Sequence, residues 1–135
     1  MTQHKMSAQI IETLNVPYYK FLYQDLKRIG NYESHGNTRI RFVSKALRHR
    51  GDDTFRHVYL ECKHGNVENV FENSWIEVSK NGWRDEFSIT LPNVPFTMDE
   101  MLEMQSTLPN YYIIGIHDCR HHVSEMLNLC YPIQD

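Results

Sequence analysis

Hydrophobic residues recur at helical spacing along the first part of the chain, over residues 6–29. Apolar positions three or four residues apart are typical of a helix with one buried face. They are Ile10, Ile11, Leu14, Tyr18, Phe21, Leu22, Leu26 and Ile29. Pro17 interrupts the pattern, and because proline excludes a hydrogen bond to the preceding turn, we expect two helices. Gly30 and residues 31–37 then predict a loop.

After this loop the pattern changes to short apolar runs and to alternation, which predict β-strands. Five segments show it, at residues 39–43, 55–62, 67–72, 75–78 and 86–91. In the second of them, His57 faces the opposite side from Val58 if the segment is extended. Lys63-His64-Gly65-Asn66 has the composition of a hairpin turn, and Asn81-Gly82 marks another turn. We therefore expect a run of antiparallel strands.

The last third of the chain predicts two helices. Thr97 followed by Glu100 has the spacing of a capping box, so one helix should run from about Met98 to Ser106. Residues 111–116 are apolar and predict either a buried strand or an extended approach to the next helix. That last helix should start near Asp118. Its apolar stripe consists of Cys119, Val123, Met126, Leu127 and Cys130.

Helices, then strands, then helices is the order of an α+β domain. We expect one domain over residues 1–135, because a second independent core would be hard to build at this length. Its parts are a helical segment at 1–30, antiparallel strands at 38–91 and, at 97–130, a helix, an apolar segment and the Cys-bearing helix. A sheet of about four or five strands should pack against that last helix.

Composition and charge exclude several classes of protein. Hydrophobic residues make up 41% of the chain and charged residues 23%, which is unlike a disordered chain or a coiled coil. The net charge of -3 gives no general attraction to nucleic acid or to an anionic membrane. One group of basic residues does occur, which we interpret as a solvated loop rather than a phosphate site: Arg39, Arg41, Lys45, Arg48, Arg50 and Arg56.

The cysteines and the apolar runs together predict a cytoplasmic, intracellular protein. Three cysteines without a short-range framework argue against a disulfide-stapled secreted domain. Residues 1–9 are polar and do not resemble a signal peptide. No stretch approaches the roughly 18 uninterrupted apolar residues of a transmembrane segment. Free thiols would persist in a reducing compartment.

Residues 116–122 hold the strongest candidate chemistry, because Cys119 stands at the start of the last predicted helix. Free N–H groups and the positive end of the helix dipole favour a thiolate there, and the same N–H groups can bind a developing oxyanion. A thiolate mechanism also needs a base. His57 is the best candidate, since a Cys–His pair needs proximity in space rather than in sequence. We expect the neighbouring polar side chains to bind substrate, namely His117, Asp118 and His121.

Residues 110–122 read Asn-Tyr-Tyr-Ile-Ile-Gly-Ile-His-Asp-Cys-Arg-His-His. They resemble the C-terminal motif of circularly permuted NlpC-type papain-like proteins. This superfamily includes the lecithin:retinol acyltransferase-like thiol hydrolases and acyltransferases, and its motif places Asn-Cys-x-His-Phe at the opening of a helix. Cys119 and His121 match the Cys and the His, whereas Asp118 stands in place of the Asn and His122 in place of the Phe.

The upstream half of the family's pattern is a strand that begins with His and ends at a turn. His57-Val58-Tyr59-Leu60, followed by the turn at Gly65, is similar and precedes the Cys as the permuted order requires. The whole resemblance covers about residues 55–130. It implies a thiol hydrolase, thiol proteases included, or an acyltransferase, acting without a cofactor on a peptide, lipid or small amide or ester. Cys119 would attack the carbonyl and His57 would take its proton.

Such families also have a third polar residue that orients the histidine. The acyltransferase-like branch uses a second histidine on the next strand, and this chain has none there. If the hairpin turns at Gly65, Glu72 lies roughly opposite His57, with Glu68 on the same face. A change of one residue in the loop would present Asn69 instead. The expected catalytic set is therefore Cys119, His57 and Glu72.

Two alternatives stay open at this point. The chain could be a non-catalytic interaction module on the same fold, with Cys119 as a buried core residue and the aromatic segment at residues 18–23 as a packing surface or a partner-binding face. It could instead be a structural zinc domain, because Cys62-Lys63-His64 and Cys119-Arg120-His121 are two Cys-x-His units that together offer four tetrahedral ligands.

Overall fold

The computed structural model describes residues 11–47, 56–73 and 83–133, and it has the α+β architecture that the sequence predicts. Among these residues, four antiparallel strands form one sheet in the order β3-β2-β1-β4: β1 (Thr38–Leu47), β2 (Arg56–His64), β3 (Val67–Phe71) and β4 (Trp83–Val94). The helices are α1 (Lys20–Ile29), α2 (Met98–Ser106) and the Cys-bearing α3 (Cys119–Cys130), with a 3-10 helix at Pro17–Tyr19. The expected strand at 75–78 and the turn at Asn81-Gly82 lie outside the described residues.

Local sequence signals decide where the helices begin. The chain leaves a helical turn at residues 11–12 and enters helix again at Pro17, so the proline divides the N-terminal helical pattern as expected. α2 begins at the predicted capping box. The Thr97 hydroxyl accepts the Glu100 backbone N–H at 3.1 Å, and the Glu100 carboxylate accepts the Thr97 N–H at 3.0 Å.

The turn between β2 and β3 fixes which side chains can approach His57. Gly65 turns the chain with a φ of 62°, a conformation that favours glycine. The hairpin pairs His64 with Val67 and ends at the pair of Leu60 and Phe71. Asn69 therefore lies opposite Cys62, far along the strand from His57. The alternative register, with Asn69 beside His57, does not occur. The expected pairing of Glu72 with His57 is also wrong, because Phe71 pairs with Leu60 and the register would place Glu72 opposite Tyr59.

The hydrophobic core lies between one face of the sheet and the helices. α3 packs against β2 and α1, and every position of its predicted apolar stripe is buried. α1 contributes Leu22, Leu26 and Ile29 at helical spacing. The sheet contributes Ile40, Phe42, Val58, Leu60, Cys62, Phe71, Ile89 and Leu91.

The aromatic segment near Pro17 packs inside the fold. Tyr19 is buried, and its hydroxyl accepts the Arg56 backbone N–H at 2.6 Å, which holds the first residue of β2. The Arg120 guanidinium lies 3.7 Å from the centre of the Tyr18 ring. These contacts bring the starts of β2 and α3 together. Tyr18, Phe21 and Tyr23 are half-buried, and a partner-binding face there stays a prediction.

The apolar segment before α3 differs from both expectations. Residues 111–116 form an exposed turn rather than a buried strand or an extended approach. Gly115 has a φ of 87°, and the backbone N–H groups of Ile116 and His117 both donate to the Ile113 carbonyl. A segment closed on itself in this way cannot pair with the sheet. No helix in the described residues is long and apolar enough to cross a membrane.

Candidate active site

The start of α3 is fixed by a capping box with an unusual second member. An oxygen of the Asp118 carboxylate accepts the Arg120 backbone N–H at 3.0 Å, as an N-cap residue does. The Nδ1 atom of His121 accepts the Asp118 backbone N–H at 3.0 Å, in the place where Glu or Gln is usual. Cys119 is thereby held as the first residue of the helix.

Asp118 and Arg120 form a buried ion pair at this helix start. The guanidinium Nε and Nη2 atoms donate to the two carboxylate oxygens at 2.9 and 2.6 Å. Burial alone raises the pKa of Asp118, but the hydrogen bonds from Arg120 and Gly115 outweigh it, so the pKa is lowered from its ordinary value. The Asp118 carboxylate is thus buried and bonded to Arg120 and Gly115 at the helix start, and its expected contact with substrate stays a prediction.

His57 joins the two other members of the expected catalytic set. Its Nε2 atom lies 2.7 Å from the Oε1 atom of Glu72, and Cys119 is close enough to raise the pKa of the imidazole. The Cys119 sulfur also lies 4.0 Å from the Arg56 carbonyl oxygen. Glu72 reaches the ring from just beyond the end of β3. The three residues therefore come from α3, β2 and the end of the β2–β3 hairpin.

These contacts keep His57 charged near neutral pH. Burial lowers the pKa of His57. The interactions with Cys119 and Glu72 raise it by a larger amount, and the resulting pKa is about 9. The same hydrogen bond from His57 lowers the pKa of Glu72. An imidazolium between a carboxylate and a cysteine can hold the proton that a thiol mechanism moves, and can later donate it.

Tyr112 is a site residue that the sequence did not single out. It lies close enough to Cys119 for that residue to affect the pKa of its hydroxyl. Burial, and then the nearness of Cys119 and Asp118, raise the pKa of this hydroxyl, so it remains a neutral donor. In the sequence, Tyr112 stands out only by its polar hydroxyl within a largely apolar segment. That signal does not predict which way the side chain points.

The other histidines near Cys119 face different partners. The Nε2 atom of His117 lies 2.9 Å from a Glu125 carboxylate oxygen, and its Nδ1 atom lies 3.3 Å from the Tyr111 carbonyl. Asn73 donates to the same carbonyl at 3.1 Å and ties the turn to the end of the hairpin. His121 stacks on Phe21 with ring centres 5.2 Å apart. These contacts hold His117 and His121 within the scaffold, and their expected role in substrate binding stays a prediction.

A cavity of about 430 Å³ lies beside the Glu72 end of the site. It is lined by Glu72, Asn73 and His122, and by residues of α2 and the connection that follows it. His122 is buried, and burial lowers its pKa to about 4, so the ring is neutral. Its Nδ1 atom has no hydrogen-bond partner among the described residues. The Cys119 side chain itself is nearly enclosed, with Cys119 only 6% exposed.

The four residues of the expected zinc alternative are held in separate places. Cys62 lies five residues along β2 from His57, or roughly 16 Å at the rise of an extended strand. The Nδ1 atom of His64 lies 2.9 Å from the Thr38 hydroxyl, and that of His121 accepts the Asp118 N–H. Within the described parts of the chain, no three His, Cys, Asp or Glu residues are grouped as metal ligands.

No protein-family model, curated protein or solved structure matches this chain. Any conclusion about function therefore depends on the chemistry that Cys119, His57, Glu72 and Tyr112 can perform in this arrangement.

Proposed function

We propose that the chain is a thiol hydrolase or acyltransferase of the permuted papain-like type, with Cys119 as nucleophile, His57 as acid and base, and Glu72 as the residue that orients His57. One observation carries the proposal. The His57 imidazole contacts the Glu72 carboxylate at 2.7 Å and is close enough to Cys119 for that residue to raise its pKa, which brings together the nucleophile, base and orienting group that acyl transfer requires.

The reaction would proceed in two halves. The Cys119 sulfur forms a bond to the carbonyl carbon of an amide or ester, the carbonyl electron pair moves to the oxygen, and His57 holds the thiol proton. The oxyanion then collapses, the C–N or C–O bond breaks, and His57 donates its proton to the leaving amine or alcohol. Water or another acceptor then attacks the thioester carbon while His57 takes its proton. The C–S bond breaks, the product leaves, and His57 returns the proton to the Cys119 sulfur.

The oxyanion has two donors in this arrangement. The Cys119 backbone N–H is at the first position of α3, where it has no partner in the preceding turn. The Tyr112 hydroxyl lies beside it and stays protonated. Both groups lie next to the Cys119 side chain, so we assign Tyr112 to oxyanion stabilisation.

The second candidate is a non-catalytic module on the same fold, and the burial of Cys119 favours it. A thiol on a residue that is 6% exposed accepts a bulky carbonyl substrate only if neighbouring groups move. Accessibility of the thiol to small electrophiles in solution is therefore the property that separates the two candidates.

Labelling with iodoacetamide across pH, with mass-spectrometric mapping, tests the proposal. Cys62 and Cys130 are internal controls, because burial raises the pKa of each thiol to about 12. We expect alkylation of Cys119 in the neutral range and a loss of at least about tenfold in its rate in His57→Ala, since the Cys119 thiol then lacks the imidazole that accepts its proton. Labelling confined to Cys62 or Cys130, or equal rates in wild type and His57→Ala, would contradict the catalytic assignment.

A further inference from the structure

The cavity of about 430 Å³ beside Glu72 has a largely polar wall. Its volume lies within the range of small-molecule sites, roughly 300–1,000 Å³. Part of the wall is apolar and comes from α2 and the connection after it. The rest consists of residues whose side chains can form hydrogen bonds: Glu72, Asn73, Gln105, Ser106, Asn110 and His122. We call this space the Glu72 cavity.

Part of the hydrogen-bonding capacity of this wall is unused within the described residues. The side-chain amides of Gln105 and Asn110 make no hydrogen bond to another described side chain or backbone group. The Nδ1 atom of His122 has no partner there either, although His122 is only 3% exposed. A buried polar atom without a partner costs free energy, which a bound group that hydrogen-bonds it would recover. His122 therefore favours a ligand with hydrogen-bonding groups in the Glu72 cavity.

The charges at the wall restrict which ligand fits. Of the described lining residues, Glu72 alone is charged near neutral pH, because none is Lys or Arg and burial lowers the pKa of His122 to about 4. A carboxylate or phosphate that entered would lose hydration without meeting a cation at the wall. The amides of Gln105 and Asn110 and a neutral imidazole can each donate and accept. They are complementary to an uncharged group that also donates and accepts, which is the property of an amide.

The Glu72 cavity adjoins the proposed catalytic residues. Glu72 lines the cavity and contacts His57 at 2.7 Å. His122 follows Cys119 by three positions on α3, a spacing that makes two side chains neighbours on a helix. A group bound in the cavity would therefore lie close to the carbonyl that Cys119 attacks, without being that carbonyl.

We propose that the Glu72 cavity binds an uncharged amide group of the substrate, separate from the bond that is broken, and that His122 and Gln105 determine this specificity by hydrogen bonds. The substrate would then be a hydrophilic, amide-bearing molecule rather than a fatty acyl lipid. Its being a substrate rests on the proposed thiol chemistry. Binding of the amide group does not, so Cys119→Ala should bind it as the wild type does.

Chemical-shift mapping by NMR tests the proposal in the wild type and in Cys119→Ala. The probes are N-acetylglycinamide, its charged counterpart N-acetylglycinate and the aliphatic 1-hexanol. We expect N-acetylglycinamide to bind saturably and to shift the side-chain amide signals of Gln105 and the ring signals of His122. N-acetylglycinate and 1-hexanol should bind more weakly, because neither can match the hydrogen bonds of the wall without a charge or a loss of polar groups.

Two variants separate binding from packing. His122→Phe keeps an aromatic ring, and Gln105→Leu changes a half-buried residue of α2. Each should weaken the binding of N-acetylglycinamide about two- to tenfold, the effect of losing one hydrogen bond. The matched control is Gln24→Leu, since Gln24 is an exposed glutamine of α1 that does not line the cavity. Circular dichroism establishes that each variant is folded, and Gln105→Leu decides alone if His122→Phe is not.

Several results would overturn the proposal. It is wrong if N-acetylglycinamide does not bind or shifts neither Gln105 nor His122, and if N-acetylglycinate or 1-hexanol binds there as tightly. It is also wrong if Gln24→Leu weakens binding as much as Gln105→Leu does. Binding of N-acetylglycinamide as expected, together with a Cys119 thiol that iodoacetamide does not label, would support the cavity as an amide site and refute only the proposed catalysis.

Discussion

Replacing Glu72 with Gln keeps the shape of the His57 partner and removes its charge. Glu72 is one of two groups that raise the pKa of His57 from 6.5 to about 9 against the effect of burial. The Glu72 side chain is 40% exposed, so solvent screens part of its effect. We expect Glu72→Gln to lower the His57 pKa by about one pH unit, which corresponds to ~1.4 kcal/mol of interaction with the imidazolium.

The assay is a pH titration of the ring proton of His57 by NMR, assigned with a His57→Gln sample. Glu125→Gln is the matched control, because Glu125 contacts His117 at 2.9 Å and its side chain is exposed to a similar extent, at 43%. The control should leave the His57 midpoint where it is. Equal midpoints in wild type and Glu72→Gln, or an equal decrease in both variants, would refute the assignment of Glu72 as the partner of His57.

Three other outcomes follow from the same contacts. Because the folded-state pKa of His57 is raised, its contribution to stability is complete below pH 6.5 and is lost as the pH rises through about 9; urea unfolding should show this decrease, and His57→Gln should lack it. Asp118→Ala leaves the buried Arg120 without its carboxylate and should lower the free energy of unfolding by ~3–5 kcal/mol, whereas Asp118→Asn, which retains the cap, should lose less; equal losses in thermal or urea unfolding would contradict this. Tyr112→Phe should lower the rate of acyl transfer from a p-nitrophenyl ester by about 100-fold while leaving the alkylation rate of Cys119 nearly unchanged, because only acyl transfer forms an oxyanion; equal effects on both rates would argue for a structural role.

The expected registers show where local reasoning reaches its limit. The sequence left Glu72 and Asn69 as rival partners of His57, because a shift of one residue in the hairpin turn exchanges them. The turn at Gly65 and the pair of Cys62 with Asn69 decide between them. Glu72 then reaches His57 from beyond the last paired position, which no count of strand residues predicts.

The sequence by itself determined the features that depend on a few neighbouring residues. The capping box at Thr97, the division of the helical pattern at Pro17, the turn at Gly65 and the place of Cys119 at a helix start all follow from backbone geometry and local hydrogen bonds. The α+β class follows in the same way, since it depends only on the order of the elements.

Only the tertiary structure decided which of these elements meet and which side chains face solvent. The approach of His57 to Cys119, separated by more than sixty residues, depends on how α1 and Tyr19 hold the start of β2 beside α3. The apolar residues 111–116 were expected to be buried or extended, yet Tyr111, Ile113, Ile114 and Ile116 are exposed. The turn at Gly115 closes the segment on itself through hydrogen bonds to the Ile113 carbonyl, so these side chains do not reach the core. Packing between distant segments decides which way the side chains of Tyr112 and of the isoleucines after it point, and no local sequence pattern contains that information.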